Sequence, residues 1–307
     1  MRIVAALGGN ALLRRGDHPD AAVQEANVER VVTALAALAH EHELVITHGN
    51  GPQIGLLALE SAADPALTAP YPLHLLGAET QGMIGSLLAR ALHNALPGRR
   101  IATLVTHTLV RADDPAFDRP TKFVGQMYSG KAVPTLARLR GWQVARDGDG
   151  WRRVVPSPSP QGIVETDTVH ELLAAGTLVI CAGGGGVPVV ADTDTGALTG
   201  VEAVVDKDLT AALLAEELKA DFLLILTDVP CVYEDYGTPR QRPLDDATPS
   251  RLRRGGFPDG SMGPKTEAAA RFVERTGGLA AIGALDAAYE IVHGRSGTLV
   301  RPDLTGE

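Results

Sequence analysis

The sequence predicts an α/β protein in which helices cover both faces of a mainly parallel sheet. Short apolar runs of strand length alternate along the 307 residues with longer segments whose apolar residues recur at helical spacing. Buried strands separated by helices indicate βαβ units. Hydrophobic residues make up 45% of the chain and charged residues 21%, so the composition is that of an ordinary globular protein rather than a disordered one.

The elements follow one another in a regular order. The first strand is predicted at Ile3–Leu7, and the helix after it, Val23–His40, carries an apolar stripe formed by Val28, Val31, Val32, Leu35 and Leu38. The other strands are predicted at Glu43–Thr47, Ile101–Thr106, Thr177–Cys181, Phe222–Leu226, Ala280–Ile282 and Thr298–Val300. The other helices are predicted at Gln53–Glu60, Leu73–Leu96, Asp208–Lys219, Pro264–Thr276 and Asp286–His293.

One part of the chain, residues 113–160, interrupts this alternation. It contains six prolines, and a Gly148-Asp149-Gly150 turn lies between the strand-like segments Trp142–Arg146 and Trp151–Val155. A structureless loop of this length is rare in a compact domain. We therefore predict a small protruding subdomain inserted into a single domain that spans residues 1–307. The alternative is a long surface excursion.

The net charge and the cysteine content indicate which partners and which cellular compartment to expect. The 28 lysines and arginines against 37 acidic residues give a net charge of −9, whereas a general binder of nucleic acid or of anionic membranes is usually basic. No apolar stretch reaches about 18 residues, and the N-terminus lacks a signal-peptide pattern. Cys181 and Cys231 are too few for a disulfide framework. We expect a cytoplasmic protein with no nucleic-acid or membrane partner.

Four turns that follow predicted strands are candidates for a phosphate site. Ligands of parallel α/β sheets bind outside the carboxyl ends of the strands, where glycine lets backbone N–H groups approach a phosphate. The turns contain Gly8-Gly9-Asn10-Ala11, His48-Gly49-Asn50-Gly51-Pro52, Gly183-Gly184-Gly185-Gly186 and Thr227-Asp228. Several such turns on one edge of a sheet favour a functional site. His48 either binds substrate or is held in its turn by its neighbours.

A segment that nearly matches a P-loop lies in the inserted region. Gly125–Ala132 fits G-x-x-x-x-G-K-[ST] except at the last position, where Ala132 has no hydroxyl to coordinate Mg²⁺. The segment does not lie between a buried strand and a long helix. We therefore expect Lys131 to have no part in phosphate binding.

Two lysines at predicted helix starts are better candidates. Lys207 lies between Asp206 and Asp208, and a cation at a helix N-terminus is mildly unfavourable unless it binds an anion there. A role of Asp208 as the N-cap or as a first-turn acid of the helix would explain that residue alone, but not the Asp-Lys-Asp triplet. Lys265 follows glycines at another helix start. Its alternative is a solvated surface lysine.

Taken in order, these segments resemble the carbamate kinases of the amino acid kinase superfamily over essentially the whole chain. The resemblance is carried by Ala6–Ala11, His48–Gln53, Thr80-Gln81-Gly82, Pro120-Thr121-Lys122, Val155–Pro158, Gly183–Gly186, Glu202–Asp208, Leu226–Val229 and Gly260–Lys265. It implies a three-layer αβα sandwich with an open, mainly parallel eight-stranded sheet, a small protruding subdomain and a homodimer.

The resemblance also implies an activity and assigns roles to residues. The activity is reversible phosphoryl transfer between ATP and carbamate, giving carbamoyl phosphate and ADP, with Mg²⁺ carried by the nucleotide and no metal ligands from the protein. The implied catalytic residues are Lys207, Lys265, Asp208 and Lys122, of which Asp208 rather than Asp206 orients the lysines. The implied phosphate and substrate contacts are Gly8, Gly9, Asn10, Gly49, Asn50 and Gly51. The implied nucleotide contacts are Lys207, Asp228, Tyr233, Met262 and Lys265.

A departure from other members of the superfamily favours carbamate as the substrate. Many relatives that form acyl phosphates have a lysine just before the first Gly-Gly pair, where this chain has Ala5-Ala6-Leu7. Lys207 and Lys122 are the candidates to supply the missing charge. We expect the reaction to run towards ATP. Two alternatives remain: a kinase of another small carboxylate or phosphonate, and a nucleotide or metabolite sensor without turnover.

Overall fold

The computed structural model describes residues 1–13, 17–258 and 261–303. Its strands are β1 Arg2–Leu7, β2 Glu43–His48, β3 Ile101–Thr103, β4 His107–Leu109, β5 Lys122–Tyr128, β6 Val144–Asp147, β7 Gly150–Val155, β8 Gly162–Ile163, β9 Leu178–Ile180, β10 Val187–Ala191, β11 Leu198–Gly200, β12 Phe222–Thr227, β13 Val232–Glu234, β14 Arg242–Leu244, β15 Asp246–Ala247, β16 Leu279–Ala284 and β17 Thr298–Val300. Its helices are α1 Gly9–Leu12, α2 Ala21–Glu41, α3 Gly51–Ala63, α4 Leu73–Ala95, α5 Val133–Arg140, α6 Thr166–Ala174, α7 Lys207–Glu217, α8 Pro249–Arg254, α9 Met262–Thr276 and α10 Ala288–Val292.

The main sheet has eight strands within the described residues, in the order β15-β17-β16-β12-β1-β2-β9-β3. Neighbouring strands are parallel except β16 and β17, which are antiparallel. β1 lies near the middle, where Ala5 pairs with Leu224 on one side and with Ile46 on the other. The prediction of an open, mainly parallel eight-stranded sheet is confirmed.

Alternate residues of the central strands face opposite layers of helices, because side chains of a strand alternate across the sheet. Val4 and Ala6 belong to one buried cluster, with residues of α7 and α9. Ile3, Ala5 and Leu7 belong to a second cluster, with residues of α2 and α4. β1 is therefore buried on both sides. This confirms the αβα sandwich and explains why the central strands are apolar throughout.

The strand predicted at Ile101–Thr106 is wrong in its second half. β3 ends at Thr103, and the chain then leaves the main sheet to form β4 in a four-stranded sheet with the order β11-β10-β4-β8. Thr106, between the two strands, is buried, and its hydroxyl accepts a hydrogen bond from the backbone N–H of Ala182 at 2.8 Å. This bond, from a partner distant in sequence, fixes the point where the chain turns away.

The helix predicted at Asp286–His293 is also shorter than expected. A 3₁₀ turn at Leu285–Ala287 comes first, and α10 covers only Ala288–Val292.

Within the inserted region, β5, β7 and β6 form a separate antiparallel sheet, which we call the small sheet. The predicted hairpin is confirmed, since Arg146 pairs with Trp151 and Asp147 with Gly150. The small sheet contacts the rest of the protein through Val124 and Val155, which share a buried cluster with residues of α3 and α4. None of the helices in the described ranges is both long and apolar enough to cross a membrane.

Candidate active site

The four candidate turns follow β1, β2, β9 and β12, which are adjacent in the main sheet in the order β12-β1-β2-β9. Gly8 after β1 donates its backbone N–H to Leu226 O at 2.9 Å, and Gly49 after β2 donates to Leu7 O at 3.0 Å. A Cβ at Gly49 would lie 2.8 Å from Gly9 N and 3.3 Å from Cδ of Lys207. The glycine at position 49 is therefore required by the close approach of two turns and a candidate catalytic lysine.

The turn after β2 leads directly into α3. Gly51 is the first residue of α3, and Asn50 is its N-cap residue. The amide of Asn50 donates to the hydroxyl of Thr80 at 2.9 Å, so the buried side chain is engaged within the protein. What Asn50 offers to a ligand at this edge is its backbone. The backbone of Asn10 lies in the short helix α1, but its side chain lies outside the part of the chain that the structure describes.

The tetraglycine turn after β9 is buried and serves close packing. Gly184, Gly185 and Gly186 all have positive φ, which disfavours other residues. A Cβ at Gly185 would lie 2.3 Å from Val205 O, and one at Gly184 would lie 2.1 Å from Nδ2 of Asn50. These glycines bring the segment that ends at Val205 against the edge of the sheet. They thereby position the start of α7, where Lys207 lies.

The N-cap of α7 is Asp206, and Asp208 is an acidic residue of the first turn, so of the two helix roles considered for Asp208 the structure shows the second. Oδ1 of Asp206 accepts hydrogen bonds from the backbone N–H groups of Asp208 at 2.9 Å and Leu209 at 3.3 Å. The other carboxylate oxygen, Oδ2, accepts from Nζ of Lys122 at 2.5 Å. With capping supplied by Asp206, the carboxylate of Asp208 is available for side-chain partners.

Asp208 joins the two candidate catalytic lysines. Its Oδ1 lies 2.5 Å from Nζ of Lys207 and its Oδ2 lies 3.1 Å from Nζ of Lys265, which brings the starts of α7 and α9 together. The Asp208 side chain is only 4% exposed, and the lysines are 11% and 15% exposed. The surface-lysine alternative for Lys265 is therefore wrong. We call these three residues the lysine pair cluster.

The cluster shifts the pKa of each member. Burial alone would raise the pKa of Asp208, but Lys207 and Lys265 outweigh burial and hold it well below its usual range. Burial lowers the pKa of Lys207, and Asp208 only partly offsets this because Lys265 acts in the same direction as burial. Burial also opposes the charge of Lys265, but Asp208 raises the pKa of that lysine overall. Asp208 therefore keeps two neighbouring ammonium groups charged inside the protein.

Lys122 adds a third ammonium group to this edge of the protein. It is the first residue of β5 in the small sheet, and its ion pair with Asp206 crosses to the start of α7. Its side chain is 32% exposed, about twice as much as that of Lys265. Lys122, Lys207 and Lys265 thus bring three ammonium groups to this edge, where they can bind a phosphate ligand.

Besides Lys207 and Lys265, the predicted nucleotide contacts are Asp228 after β12, Tyr233 in β13 and Met262 in α9. Asp228 follows β12 and raises the pKa of Lys265 together with Asp208, which places these charges near one another. Tyr233 is half buried in β13, and Met262 begins α9 with its side chain against the apolar core cluster of that layer. Gly260, part of the glycine-lysine motif, lies outside the described residues.

Several buried polar residues behind the turns were not predicted as part of the site. Gln81 accepts from the backbone N–H of Thr106 at 3.1 Å, and Thr47 donates to Ala182 O at 2.8 Å. These residues fix the ends of strands rather than face a ligand. The sequence contains a signal for Thr80 and Gln81, because both are polar residues on the buried face of a predicted helix.

His48 is also a supporting residue. It is buried, its Nδ1 donates to Gly49 O at 3.1 Å, and a Cβ at Gly183 would lie 2.3 Å from its Nε2. Burial lowers its pKa to about 4, so the imidazole is neutral at pH 7. This favours the interpretation that neighbours hold His48 in its turn.

The near P-loop does not have the loop between a buried strand and a long helix that a P-loop forms. Its first half, Gly125–Tyr128, lies in strand β5, and Lys131 is exposed. Gly125 has φ +79° and lies against Gly55 of α3, where a Cβ on Gly55 would be 2.4 Å from Gly125 Cα. Gly55 is therefore needed for the close approach of α3 and β5.

Comparisons with known proteins agree with this geometry. The amino acid kinase family model matches residues 1–282. A carbamate kinase of Rhizobium meliloti is 48% identical over 302 residues, which cover 98% of this chain and 93% of that protein. A carbamate kinase of Escherichia coli K12 is 49% identical over 298 residues, covering 97% of this chain and 98% of that protein.

Solved structures show the same fold. Carbamate kinase from Giardia lamblia bound to AMP-PNP superposes with a TM-score of 0.89 at 38% identity, covering 98% of both chains. UMP kinase from Bacillus anthracis, at 15% identity and a TM-score of 0.56, is similar in fold alone. The resemblance in the motifs is confirmed by these matches: the chain belongs to the amino acid kinase family and, within it, to the carbamate kinases.

Proposed function

We propose that this protein transfers a phosphoryl group reversibly between ATP and carbamate, giving carbamoyl phosphate and ADP, and that it works mainly towards ATP. The observation that supports this most is the lysine pair cluster, which lies beside turns from neighbouring strands of the main sheet. The direction follows from chemistry, because carbamoyl phosphate is a mixed anhydride whose phosphoryl group moves downhill to ADP.

In this direction, the bond from phosphorus to the carbamate oxygen breaks and a bond from phosphorus to a terminal oxygen of ADP forms. Negative charge spreads over the equatorial oxygens, so catalysis depends on positioning and charge neutralisation. Lys207 and Lys265 are fixed in place by Asp208 and are largely excluded from water. Ammonium groups in such a place stabilise developing charge more than they would in water.

The carbamate end would be held by backbone groups. Gly8 and Gly49 already donate their N–H groups to Leu226 O and Leu7 O, so the backbone groups proposed for carbamate are those of Gly9, Asn10, Asn50 and Gly51. Gly51 begins α3, and a Cβ there would meet nothing within 4 Å. A small carboxylate suits such a helix start. Lys122 would contact the phosphoryl group from the small sheet, and residues 113–160, which include that sheet, would act as a lid over the site. Asp228, Tyr233 and Met262 would border the nucleotide.

Mg²⁺ would arrive with the nucleotide. The described residues include no group of three or more His, Cys, Asp or Glu side chains that could hold a metal ion, and both oxygens of Asp208 already accept from lysines. This donor set fits a metal bound through phosphate oxygens. When bound there, Mg²⁺ supplies charge neutralisation on the phosphates.

A homodimer is proposed from the surface of α4. Leu75 is 46% exposed and Met83 is 38% exposed on this helix, and Tyr71 just before it is 48% exposed. Large exposed apolar side chains in one segment of a protein are typical of interaction surfaces.

The test is a coupled assay of ATP formation from ADP, with carbamoyl phosphate compared with acetyl phosphate and a phosphonate analogue. We expect turnover with carbamoyl phosphate and a kcat/KM at least about tenfold lower with the other donors. Preference for another donor would indicate the alternative kinase. Nucleotide binding by calorimetry without turnover of any donor would indicate a sensor.

A further inference from the structure

Asp206 connects the small sheet to the helix that carries the lysine pair cluster. One of its carboxylate oxygens caps α7, and the other accepts from Nζ of Lys122 at 2.5 Å. The side chain of Asp206 is 12% exposed, whereas that of Lys122 is 32% exposed. The lysine therefore reaches a nearly buried carboxylate from a more open position.

Capping of α7 does not explain why this residue carries a charge. Asparagine and serine cap helices about as well as aspartate does, because the cap needs only an oxygen that accepts from the backbone. Within the described residues, the lysine that the negative charge contacts directly is Lys122, whose ammonium group it holds at the start of α7, while through space it also raises the pKa values of Lys207 and Lys265. The neighbouring lysines 207 and 265 already share the carboxylate of Asp208.

The pair is suited to exchange. When the pair separates, Lys122 remains accessible to water or to a phosphate because it is 32% exposed, and Asp206 keeps its hydrogen bonds from the backbone N–H groups of Asp208 and Leu209. A phosphate group carries more charge than a carboxylate and forms strong hydrogen bonds with ammonium groups. Lys207, the residue next to Asp206, lies within the proposed phosphoryl site, so a phosphate there would be within reach of Lys122.

We infer that Asp206 is a positioning residue that holds the ammonium group of Lys122 beside the phosphoryl site and competes with the substrate phosphate for it. The inference rests on the proposed function for one point alone, which is the identity of the substrate that carries the phosphate. On phosphate binding, Lys122 exchanges the carboxylate of Asp206 for a phosphate oxygen, while Asp206 continues to cap α7. The same lysine returns to Asp206 when the phosphate leaves.

A second carboxylate, that of Glu202, also links the small sheet to a helix start and provides a matched control. Oε2 of Glu202 accepts from the backbone N–H of Leu73, the first residue of α4, at 2.8 Å, and its Oε1 accepts from Arg153 of the small sheet at 3.1 Å. Glu202 thus also combines a helix start with an ion pair to the small sheet. It differs in its partner, since Arg153 stacks on Trp142 at 4.7 Å and lies away from the lysine pair cluster.

The experiment measures binding of inorganic phosphate by calorimetry, which needs no turnover. We expect Asp206→Asn to tighten phosphate binding about three- to tenfold, because Lys122 no longer has a competing partner. The gain should disappear when Asp206→Asn is combined with Lys122→Met. Glu202→Gln, which removes the same charge and another ion pair to the small sheet, should leave phosphate affinity within about twofold.

Three results would overturn the inference: unchanged or weaker binding in Asp206→Asn, a gain that persists without Lys122, or an equal gain in Glu202→Gln. If Asp206→Asn folds poorly, Asp206→Ser takes its place. Serine also caps helices, so this variant should show the same gain in phosphate affinity. Because phosphate binding is measured directly, a failure here is distinct from failure of the carbamoyl phosphate assay.

Discussion

The main sheet and the small sheet are held in the protein in different ways, and the candidate site takes side chains from both. β1 is buried along its whole length after Arg2, between two layers of helices. The small sheet is only half buried over most of β6 and β7. It is joined to the rest by a small apolar cluster and by the ion pairs of Lys122 and Arg153.

Because the two sheets differ in burial, the candidate site contains two kinds of lysine, one buried and held in place and the other more exposed. Lys207 and Lys265 begin helices that pack on the main sheet, and Asp208 holds both of them in one place. Lys122 belongs to the less buried part, and its partner Asp206 has a second role as a cap. We therefore expect the fixed lysines to carry most of the rate and Lys122 to respond to the substrate.

The largest effects should come from the fixed lysines. Lys207→Ala and Lys265→Ala should each lower kcat for ATP formation by about 10²–10³-fold, roughly 3–4 kcal/mol, because each removes a preorganised cation from the transition state. The free energy of unfolding should change by less than about 1 kcal/mol, since the loss of one ion pair is offset by relief of repulsion between the two lysines. The two losses should combine less than additively.

The control for this comparison is Lys131→Ala, which removes an exposed lysine of the near P-loop. Its kcat should stay within about threefold of the wild type, as expected of a surface charge. Kinetics and thermal melts of the same preparations distinguish lost catalysis from lost folding. A folded Lys207→Ala or Lys265→Ala protein with near-wild-type kcat would remove that lysine from the mechanism.

A smaller effect, which depends on pH, is expected for Asp208→Asn. Asp208 opposes the influence of burial on the pKa of Lys207, so its replacement should lower that pKa further. Lys207 is active when protonated, so activity is present below its pKa and lost as the pH rises through it. The alkaline limb of the pH–rate profile should therefore move to lower pH, and kcat near neutral pH should fall by about tenfold or more. An alkaline limb at the wild-type position would contradict this role of Asp208.

Seven of the eight strands of the main sheet could be predicted from the sequence because their signal is local, whereas the two-residue strand β15 is not among the predicted strands. Each apolar run has the length of a strand, and each helix has its stripe, so the order of elements follows without knowledge of distant contacts. The positions of the glycine turns and lysines follow in turn, since parallel strands end at one edge.

The parts that could not be predicted depend on distant partners. The break after Thr103 depends on bonds from Thr106 to Gln81 and Ala182, far away in the chain. The role of Asp208 in holding the lysines follows from the resemblance, but the capping role of Asp206 depends on where α7 begins, and a shift of two residues decides which carboxylate caps the helix. The tetraglycine turn resembled a phosphate loop, because glycine required by packing and glycine required by a ligand look the same in a sequence.

The smallest effect concerns the contact between α3 and β5, which we call the joint between the small sheet and the rest of the protein. At Gly55 of α3, a Cβ would lie 2.4 Å from the backbone of Gly125 in β5. Gly55→Ala should therefore push the small sheet away from α3, at a cost of about 1–3 kcal/mol in the free energy of unfolding. Amide exchange should become faster in residues 122–155 and stay unchanged in β1, because the helices that enclose β1 do not depend on this contact.

Gly162→Ala tests whether this effect depends on the joint. A Cβ at Gly162 would meet Leu109 at an ordinary 3.5 Å, so this change should leave exchange in the small sheet as it is. A saturating phosphate ligand should slow exchange around Lys122 in the wild type and less so in Gly55→Ala, where the lysine is displaced from the site. If Gly55→Ala leaves exchange in residues 122–155 unaltered, the small sheet does not depend on this contact, and the half-buried region is held as firmly as the main sheet.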